Sequence, residues 1–276
     1  MIGAQATRGG VGYFAPAVIL SLLVALVPII FIFYFSTEGG HSLEPFETIM
    51  GSKLFQRAMA TTLEVSLEAS LISLLLGYTI ALHLARQTPK RRAALMVLVL
   101  LPFWTSILVK SYAFTIILGR EGIINSFLSW VLGEPIAIPL ILNRIGVMIG
   151  MTNYLTPLIV FPVLASLLTI DPALYRAAEV MGARPVRIFF TITLPLSMPG
   201  IVAGFFSVAV MALGFFIVPA LLGGRQDAML ANLVDFYTRE VLDWNTASAV
   251  GVVLFGLVVL LSLPAMVIKR DKRQVA

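Results

Sequence analysis

The sequence lacks the residues that most enzymes and metal sites use. It contains no cysteine and only two histidines, His41 and His83, among 276 residues. The absence of cysteine excludes disulfides, thiol nucleophiles and cysteine-based metal sites. Charge is also scarce: Asp, Glu, Lys and Arg make up 12% of the chain, against roughly 25% in soluble domains. The composition therefore excludes a soluble enzyme, a disordered chain and a secreted disulfide scaffold.

What the chain has in abundance is apolar side chains. Residues of the set AVILMFWYC make up 59% of the sequence, and the mean hydropathy is +0.98. Six runs with few or no charges are each long enough to cross a bilayer, which takes about 20 residues of helix. Helices are expected because backbone groups in lipid must hydrogen-bond within the segment. The sequence predicts an all-α polytopic membrane protein with a single transmembrane domain over residues 1–276. Its six spans are expected at about 14–35, 62–84, 93–119, 145–168, 199–222 and 247–268.

Basic residues are divided unevenly between the two sides of these spans. With an even number of spans, both ends of the chain share one side with the loops near residues 85–92 and 169–198. That side holds twelve of the 19 Lys and Arg residues, and the opposite side holds nine of the 14 acidic residues. Loops on the cytoplasmic side carry the excess of Lys and Arg. Both termini are therefore expected to be cytoplasmic.

The polar loop before the fifth span, residues 171–198, contains strong local signals. Asp171 can cap a helix that begins with proline, and Gly182 is a typical C-terminal stop. Pro185 can begin a second short helix, and Pro195 is expected to end it because proline lacks a backbone donor. The loop is therefore predicted to form two short helices joined by a tight turn at the glycine.

The same loop resembles the EAA loop of ABC importer permeases, whose pattern is E-A-A, three residues, G, nine residues and I-x-L-P. The residues that carry the resemblance are Ala177, Ala178, Gly182, Ile192, Leu194, Pro195, Pro199 and Gly200. Arg176 stands where the family pattern has its glutamate. The length of the match and its place before the penultimate span make the resemblance highly specific.

Three further segments are similar to the spermidine/putrescine subfamily of these permeases. They are residues 101–114 (LPFWTSILVKSYAF), 75–86 (LLGYTIALHLAR) and 243–254 (DWNTASAVGVVL). The resemblance implies a type I ABC importer permease fold and a role in ATP-driven, binding-protein-dependent import of polyamines across the bacterial inner membrane. Similar chains carry other small solutes, such as iron complexes or aminophosphonates, and these are the alternatives.

In this family the EAA loop forms a coupling helix that docks on a separate ATPase subunit. The chain has no G-x-x-x-x-G-K-[ST] phosphate loop, so the resemblance implies that ATP and Mg²⁺ are bound by this partner. No enzyme activity, cofactor or metal site is expected in the chain itself. A second, distinct permease and an extracytoplasmic binding protein are the other implied partners. The implied coupling residues are Arg176, Ala177, Ala178, Met181, Gly182, Ala183, Arg184 and Arg187.

Ionisable residues within membrane spans are costly and point to function. Glu64 and Glu68 share one helix face near the outer end of span two, either as an interfacial pair or as a vestibule that attracts polyamines. Lys110, inside span three, is expected to pair with one of them. The last outer loop contributes Asp235 to the candidate pathway. Three aromatic residues could stack on ammonium groups: Trp104, Tyr112 and Tyr154.

The sequence leaves room for a proton-coupled secondary carrier that uses Glu64, Glu68 and His83, although it shows no convincing internal repeat. It also leaves open what two glycine pairs do. Gly146 and Gly150, and likewise Gly200 and Gly204, have the small-xxx-small spacing that lets helices approach closely. Packing within this chain and contact between subunits are both compatible with that spacing.

Overall fold

The computed structural model describes residues 6–135 and 137–271 and contains helices and loops, with no strand in that part of the chain. Side chains are not described for residues 6–15 and 264–271. The orientation prediction rests partly on the two chain ends, which lie outside the described residues. The predicted all-α class is confirmed.

The helices differ widely in length, from four to 33 residues. In chain order they are α1 Ala6–Ser36, α2 Glu44–Gly51, α3 Lys53–Ala85, α4 Pro89–Trp104, α5 Ile107–Ile117, α6 Ile123–Leu132, α7 Arg144–Leu168, α8 Pro172–Val180, α9 Pro185–Ile188, α10 Leu194–Leu213, α11 Ile217–Leu222, α12 Leu230–Phe236 and α13 Trp244–Asp271. Two short π-helical turns, Phe189–Thr193 and Tyr237–Val241, follow α9 and α12.

Five helical segments in the described chain are long and apolar enough to cross a membrane. They are Pro16–Ser36, Lys53–Ala85, Arg144–Leu168, Pro185–Leu213 and Trp244–Leu263. Helices α4 and α5 form a sixth crossing if the bent pair is counted as one. The number of spans therefore agrees with the predicted six when that pair is included.

The chain divides into two compact units, and α12 and α13 each contribute to both. Within the described residues, the first unit contains residues 6–52 together with Val234–Val253. Its long apolar helix α1 buries none of the residues in its most apolar stretch, as expected of a helix whose side chains face lipid. Near the end of α1, Glu38 accepts a hydrogen bond of 3.2 Å from the side-chain amide of Asn245.

The described part of the second unit lies within Lys53–Leu233 and residues 254–271. Its centre is formed by α3, α7 and α10, and α7 is the most deeply buried of the spans. Because α7 packs against both α3 and α10, many of its apolar side chains are buried. They include Val147, Met151, Leu155, Ile159, Val160 and Val163.

Glycines allow these helices to approach one another closely. A Cβ atom at Gly200 on α10 would collide with the carbonyl oxygen of Pro162 and lie 2.6 Å from the Cβ of Ser166 on α7. A Cβ atom at Gly150 on α7 would lie 2.7 Å from side-chain carbons of Leu222 and Val218 on α11. These glycines therefore serve packing within this chain.

The predicted third span, residues 93–119, is wrong as a single helix. Helix α4 ends at Trp104, α5 begins at Ile107, and the two are bent by 89°. Pro102 removes one backbone donor from the last turn of α4, and the hydroxyl of Thr105 donates to the carbonyl of Pro102 at 2.8 Å. The hydroxyl thus satisfies a carbonyl that helix termination would otherwise leave without a partner.

The predicted fifth span, residues 199–222, is also wrong in its bounds. Pro195 does not end the helix, because the π-helical turn Phe189–Thr193 leads directly into α10 and makes one apolar segment from Pro185 to Leu213. A π turn shifts the hydrogen-bond register, and Pro195 falls in the first turn of α10, where a missing donor is tolerated. The segment then breaks after Leu213 and resumes as α11.

Candidate functional site

The first candidate surface is the exposed connection between α8 and α9, residues 176–187, which we name the coupling turn. A side-chain oxygen of Asp171 accepts a 2.8 Å hydrogen bond from the backbone two residues on and begins α8 as predicted. At the other end, Gly182 has φ +75°. Its N–H donates to the carbonyl of Glu179, and the following N–H donates to that of Ala178. These bonds form a Schellman motif, which requires the left-handed conformation that glycine adopts freely.

Large apolar side chains are exposed on the coupling turn. Val180 and Met181 are 89% and 85% exposed, and Val186 is 69% exposed. The predicted coupling residues lie around them, exposed except for Ala178 and Ala183, which are half-buried; the exposed ones are Arg176, Ala177, Met181, Gly182, Arg184 and Arg187. The sequence prediction does not include Val180 and Val186. The sequence pattern that could have identified them is the presence of apolar residues beside a turn rich in arginine, which is typical of an interaction site.

A few side chains link the coupling turn to the spans. The hydroxyl of Tyr175 on α8 lies 3.3 Å from that of Thr193, directly before α10. On α3, the hydroxyl of Tyr78 lies 3.1 Å from that of Ser197, and its ring meets Phe189 edge-on with centroids 6.2 Å apart. These contacts connect α8 to the turn directly before α10, and α3 to the first turns of α10.

Behind the coupling turn is a cavity of about 730 Å³ between α8, α9 and the ends of α3 and α7. Its lining includes Arg86, Tyr175 and Glu179. The side chain of Arg92, also in the lining, donates to three backbone carbonyls at the end of α3. Arg92 thus caps α3, while the cavity leaves α8 without a continuous packed core beneath it.

The second candidate is a group of three charges where α3 meets the start of α7. The Arg144 guanidinium bonds to both predicted carboxylates, at 3.0 Å from Glu64 and 3.2 Å from Glu68. The expectation that Lys110 pairs with one of these carboxylates is wrong. Arg144 takes this position because it begins α7, which packs along α3. The group has a net charge of −1, and both carboxylate side chains are at least half exposed.

The third candidate lies where the two helix breaks meet, and we name it the broken-helix cluster. The Lys110 ammonium lies 5.0 Å from the ring centroid of Tyr154, and its buried nitrogen has no hydrogen-bond partner among the described residues. The Tyr154 ring also contacts Phe103, at the end of α4, and Phe215, in the α10–α11 break, with centroids 5.6 and 5.4 Å apart. An adjoining cavity of about 260 Å³ is lined by Ile107 and residues 214–217 as well as by Tyr154.

The other predicted pathway residues lie elsewhere. Trp104 is 84% exposed at the end of α4, and Tyr112 is 55% exposed on α5. Asp235, on α12 in the first unit, forms a 2.8 Å ion pair with Arg239 one turn later. Of the aromatic residues singled out in the sequence, the structure places Tyr154 in the broken-helix cluster. Within the described residues, no group of three or more His, Asp or Glu side chains is placed to hold a metal ion.

Comparison with known proteins places these features in one family. Residues 73–273, which include the coupling turn and the broken-helix cluster, match the model of the binding-protein-dependent transport system inner membrane component. The chain belongs to this family. Members of the family are permease subunits of ABC importers, so the chain is a multi-pass permease of the inner membrane.

Two relatives in this family are spermidine/putrescine transport system permease proteins. PotB of Haemophilus influenzae is 34% identical over 269 residues, which cover 93% of this chain and 92% of the relative. PotB of Escherichia coli K12 is 34% identical over 203 residues, which cover 73% of each chain.

A solved structure shows the same fold. The permease chain of a bacterial ABC transporter involved in the import of the acidic polysaccharide alginate superposes with a TM-score of 0.77. The superposition covers 96% of each chain, and the two sequences are 22% identical. The predicted ABC importer permease fold is confirmed.

Proposed function

We propose that this chain is a permease subunit of an ATP-driven, binding-protein-dependent importer of polyamines. The observation that carries the proposal is the 34% identity to a spermidine/putrescine permease over 93% of the chain. The broken-helix cluster gives the proposal a physical basis, because aromatic ring faces attract ammonium groups. Polyamines consist of such groups joined by short methylene chains.

The proposed partners are a pair of ABC ATPase subunits, a second, distinct permease and an extracytoplasmic binding protein. ATP and Mg²⁺ would be bound by the ATPase, and this chain would contribute no ATPase site. The coupling turn supports such docking because Val180, Met181 and Val186 form an exposed apolar surface on a turn that glycine shapes. The exposed arginines at its rim would add charge complementarity. In this assembly the coupling turn and both chain ends face the cytoplasm.

The proposed cycle begins when closure of the ATPase subunits displaces the coupling turn. The contacts Tyr175–Thr193 and Tyr78–Ser197 would transmit this movement to α10 and α3. Because α10 packs along α7, movement of α10 changes the surroundings of Tyr154. The broken-helix cluster would then alternate between access from outside and access from inside.

The polar groups near the outer end of α7 would act before that cluster is reached. The group of Glu64, Glu68 and Arg144 keeps a net negative charge and lies ten residues from Tyr154 along α7, about 15 Å at 1.5 Å per residue. A weak negative field concentrates polyamines without binding them tightly. Trp104, Tyr112 and Asp235 remain proposed contributors to the same pathway.

Uptake by the reconstituted transporter tests the proposal. The chain is co-expressed with its ATPase, second permease and binding protein, and the complex is placed in liposomes loaded with ATP. We expect uptake of radiolabelled spermidine and putrescine that disappears with an ATPase variant unable to hydrolyse ATP. Uptake that a protonophore abolishes while ATP is maintained would identify a proton-coupled carrier instead. Uptake of an iron complex or an aminophosphonate, with none of polyamines, would overturn the substrate.

A further inference from the structure

Lys110 is the one charged group of the broken-helix cluster, whose other members are aromatic. Its nitrogen is buried, and within the described residues no acceptor lies within hydrogen-bond distance. The carboxylates that could have neutralised it, Glu64 and Glu68, are held by Arg144. The contact that remains for the ammonium is the face of the Tyr154 ring at 5.0 Å.

The surroundings of this contact have the features of a ligand site. The break between α4 and α5 and the break between α10 and α11 both border the cavity beside Tyr154. Discontinuous helices of transporters commonly form substrate sites. The cavity of about 260 Å³ is close to the lower bound of about 300 Å³ for small-molecule sites. Its remaining lining is apolar and aromatic.

The lysine side chain also has the chemistry of the proposed substrate. It is a butylammonium group, with four methylenes and one primary ammonium, and a four-methylene diamine has the same end. A lysine and a polyamine would therefore compete for one ring face, and their like charges disfavour simultaneous occupancy.

We propose that the Lys110 ammonium occupies a cation–π site on Tyr154 that a substrate ammonium takes by displacing it, so that the lysine is a tethered competitor. The identity of the displacing ammonium rests on the proposed polyamine function. Because the substrate ammonium replaces a chemically equivalent group on the ring, the net free energy of substrate binding is small. A weak site of this kind releases the substrate quickly, which favours transport over retention of the substrate.

Direct binding to the assembled transporter tests this proposal. The purified complex of both permeases and the ATPase is placed in nanodiscs without the binding protein, and binding of radiolabelled tetramethylammonium and putrescine is measured. Lys110→Met keeps the length of the side chain and removes its charge. We expect this variant to bind both probes about 5- to 30-fold more tightly than the wild type. Lys110→Arg, which keeps the competing charge, serves as the matched control and should remain weak.

A double variant identifies the ring as the binding surface. Lys110→Met combined with Tyr154→Leu should lose the gain for both probes while the complex still assembles. In transport assays, Lys110→Met alone should lower the half-saturating substrate concentration and slow the maximal rate, since the substrate is retained. A purely structural role for Lys110 would not lower the half-saturating concentration together with the maximal rate.

The possible failures are distinguishable. If Lys110→Met gains no affinity for tetramethylammonium, or if it prevents the two permeases from assembling, the tethered-competitor proposal is overturned. Assembly failure would indicate that the ammonium neutralises a carboxylate of the second permease. If tetramethylammonium binding rises but neither wild type nor variant binds or transports putrescine, the cation site stands and the polyamine function fails.

Discussion

Gly182 lies in the exposed coupling turn, whereas Gly200 lies where α10 crosses α7. A Cβ atom at Gly182 would meet nothing within 4 Å, but the residue has φ +75°. Gly200 has ordinary helical geometry, and a Cβ atom there would lie 3.0 Å from the Cα of Val163. The first glycine is needed for backbone conformation and the second for close packing. The coupling turn therefore depends on local geometry, and the span core depends on contacts between distant segments.

The largest expected effect is at the packed glycine. Gly200→Val places a branched side chain against backbone atoms of α7, which cannot move aside without displacing the helix. We expect destabilisation near the upper end of about 1–3 kcal/mol for overpacked cores. Thermal unfolding of the purified permease and its abundance in membranes measure the effect. Gly256→Ala is the matched control, because a Cβ atom at Gly256 on α13 meets nothing within 4 Å. Normal abundance of Gly200→Val would contradict the role assigned to this helix crossing.

The next effect concerns the apolar side chain beside the exposed glycine. Val180→Asp should leave the fold intact, because Val180 is 89% exposed, but it places a carboxylate in the proposed ATPase interface. Burial of an uncompensated polar group costs about 1–3 kcal/mol, which corresponds to roughly 5- to 150-fold weaker association. Binding of purified ATPase to the permease in nanodiscs measures this loss. Val180→Thr, which keeps the shape without the charge, should lose less. Unchanged association of the aspartate variant would remove Val180 from the interface.

A smaller effect is expected at Gly182 itself. Gly182→Val forces a β-branched residue into the left-handed region at a cost of roughly 1–2 kcal/mol. We expect normal membrane insertion and a loss of ATP-dependent uptake, because the coupling turn no longer holds its shape. Gly182→Asn is the control, since asparagine tolerates positive φ better than other non-glycine residues. Equal uptake by the two variants would show that the turn geometry is not required.

The smallest effect is expected where α7 meets α3 at the surface. Arg144→Met removes both ion pairs of Glu64 and Glu68, and exposed pairs are each worth about 0.2–1 kcal/mol. For the two pairs together, the free energy of unfolding should fall by about 0.4–2 kcal/mol, and the loss should shrink at high salt, where screening weakens the pairs. Arg144→Lys should retain part of the stability. A loss as large as that of Gly200→Val would mean that this group is buried in the assembled transporter.

Local signals in the sequence predicted the elements whose hydrogen bonds are local. The cap at Asp171 and the stop at Gly182 both satisfy groups within the same few residues, and the structure confirms them. Long apolar runs likewise predicted five of the spans in outline. Pro195 was misleading because the cost of a proline depends on the hydrogen-bond register of the preceding turn. That register was set by the π-helical turn before α10.

The partners of charged residues could not be predicted in the same way. The helical spacing places Glu64 and Glu68 on one face of a helix, yet Arg144 is 80 and 76 residues away from them in the chain. Lys110 stands out in the sequence as a charge inside a span, but the aromatic cluster around its contact residue Tyr154 comes from three separate segments. Periodicity shows which residues share a face of one helix, and it contains no information about which face of another helix lies opposite.

The sequence by itself determined that this chain lies in a membrane, that its spans are helical, and where the coupling turn begins and reverses. These properties follow from the composition of continuous segments and from backbone groups that are satisfied within a few residues. Only the tertiary structure decided that two spans are broken, that Arg144 rather than Lys110 pairs with the carboxylates, and that Tyr154 lies at the centre of an aromatic cluster. Those properties depend on packing between helices, where a contact is set by the shapes and charges of both surfaces at once.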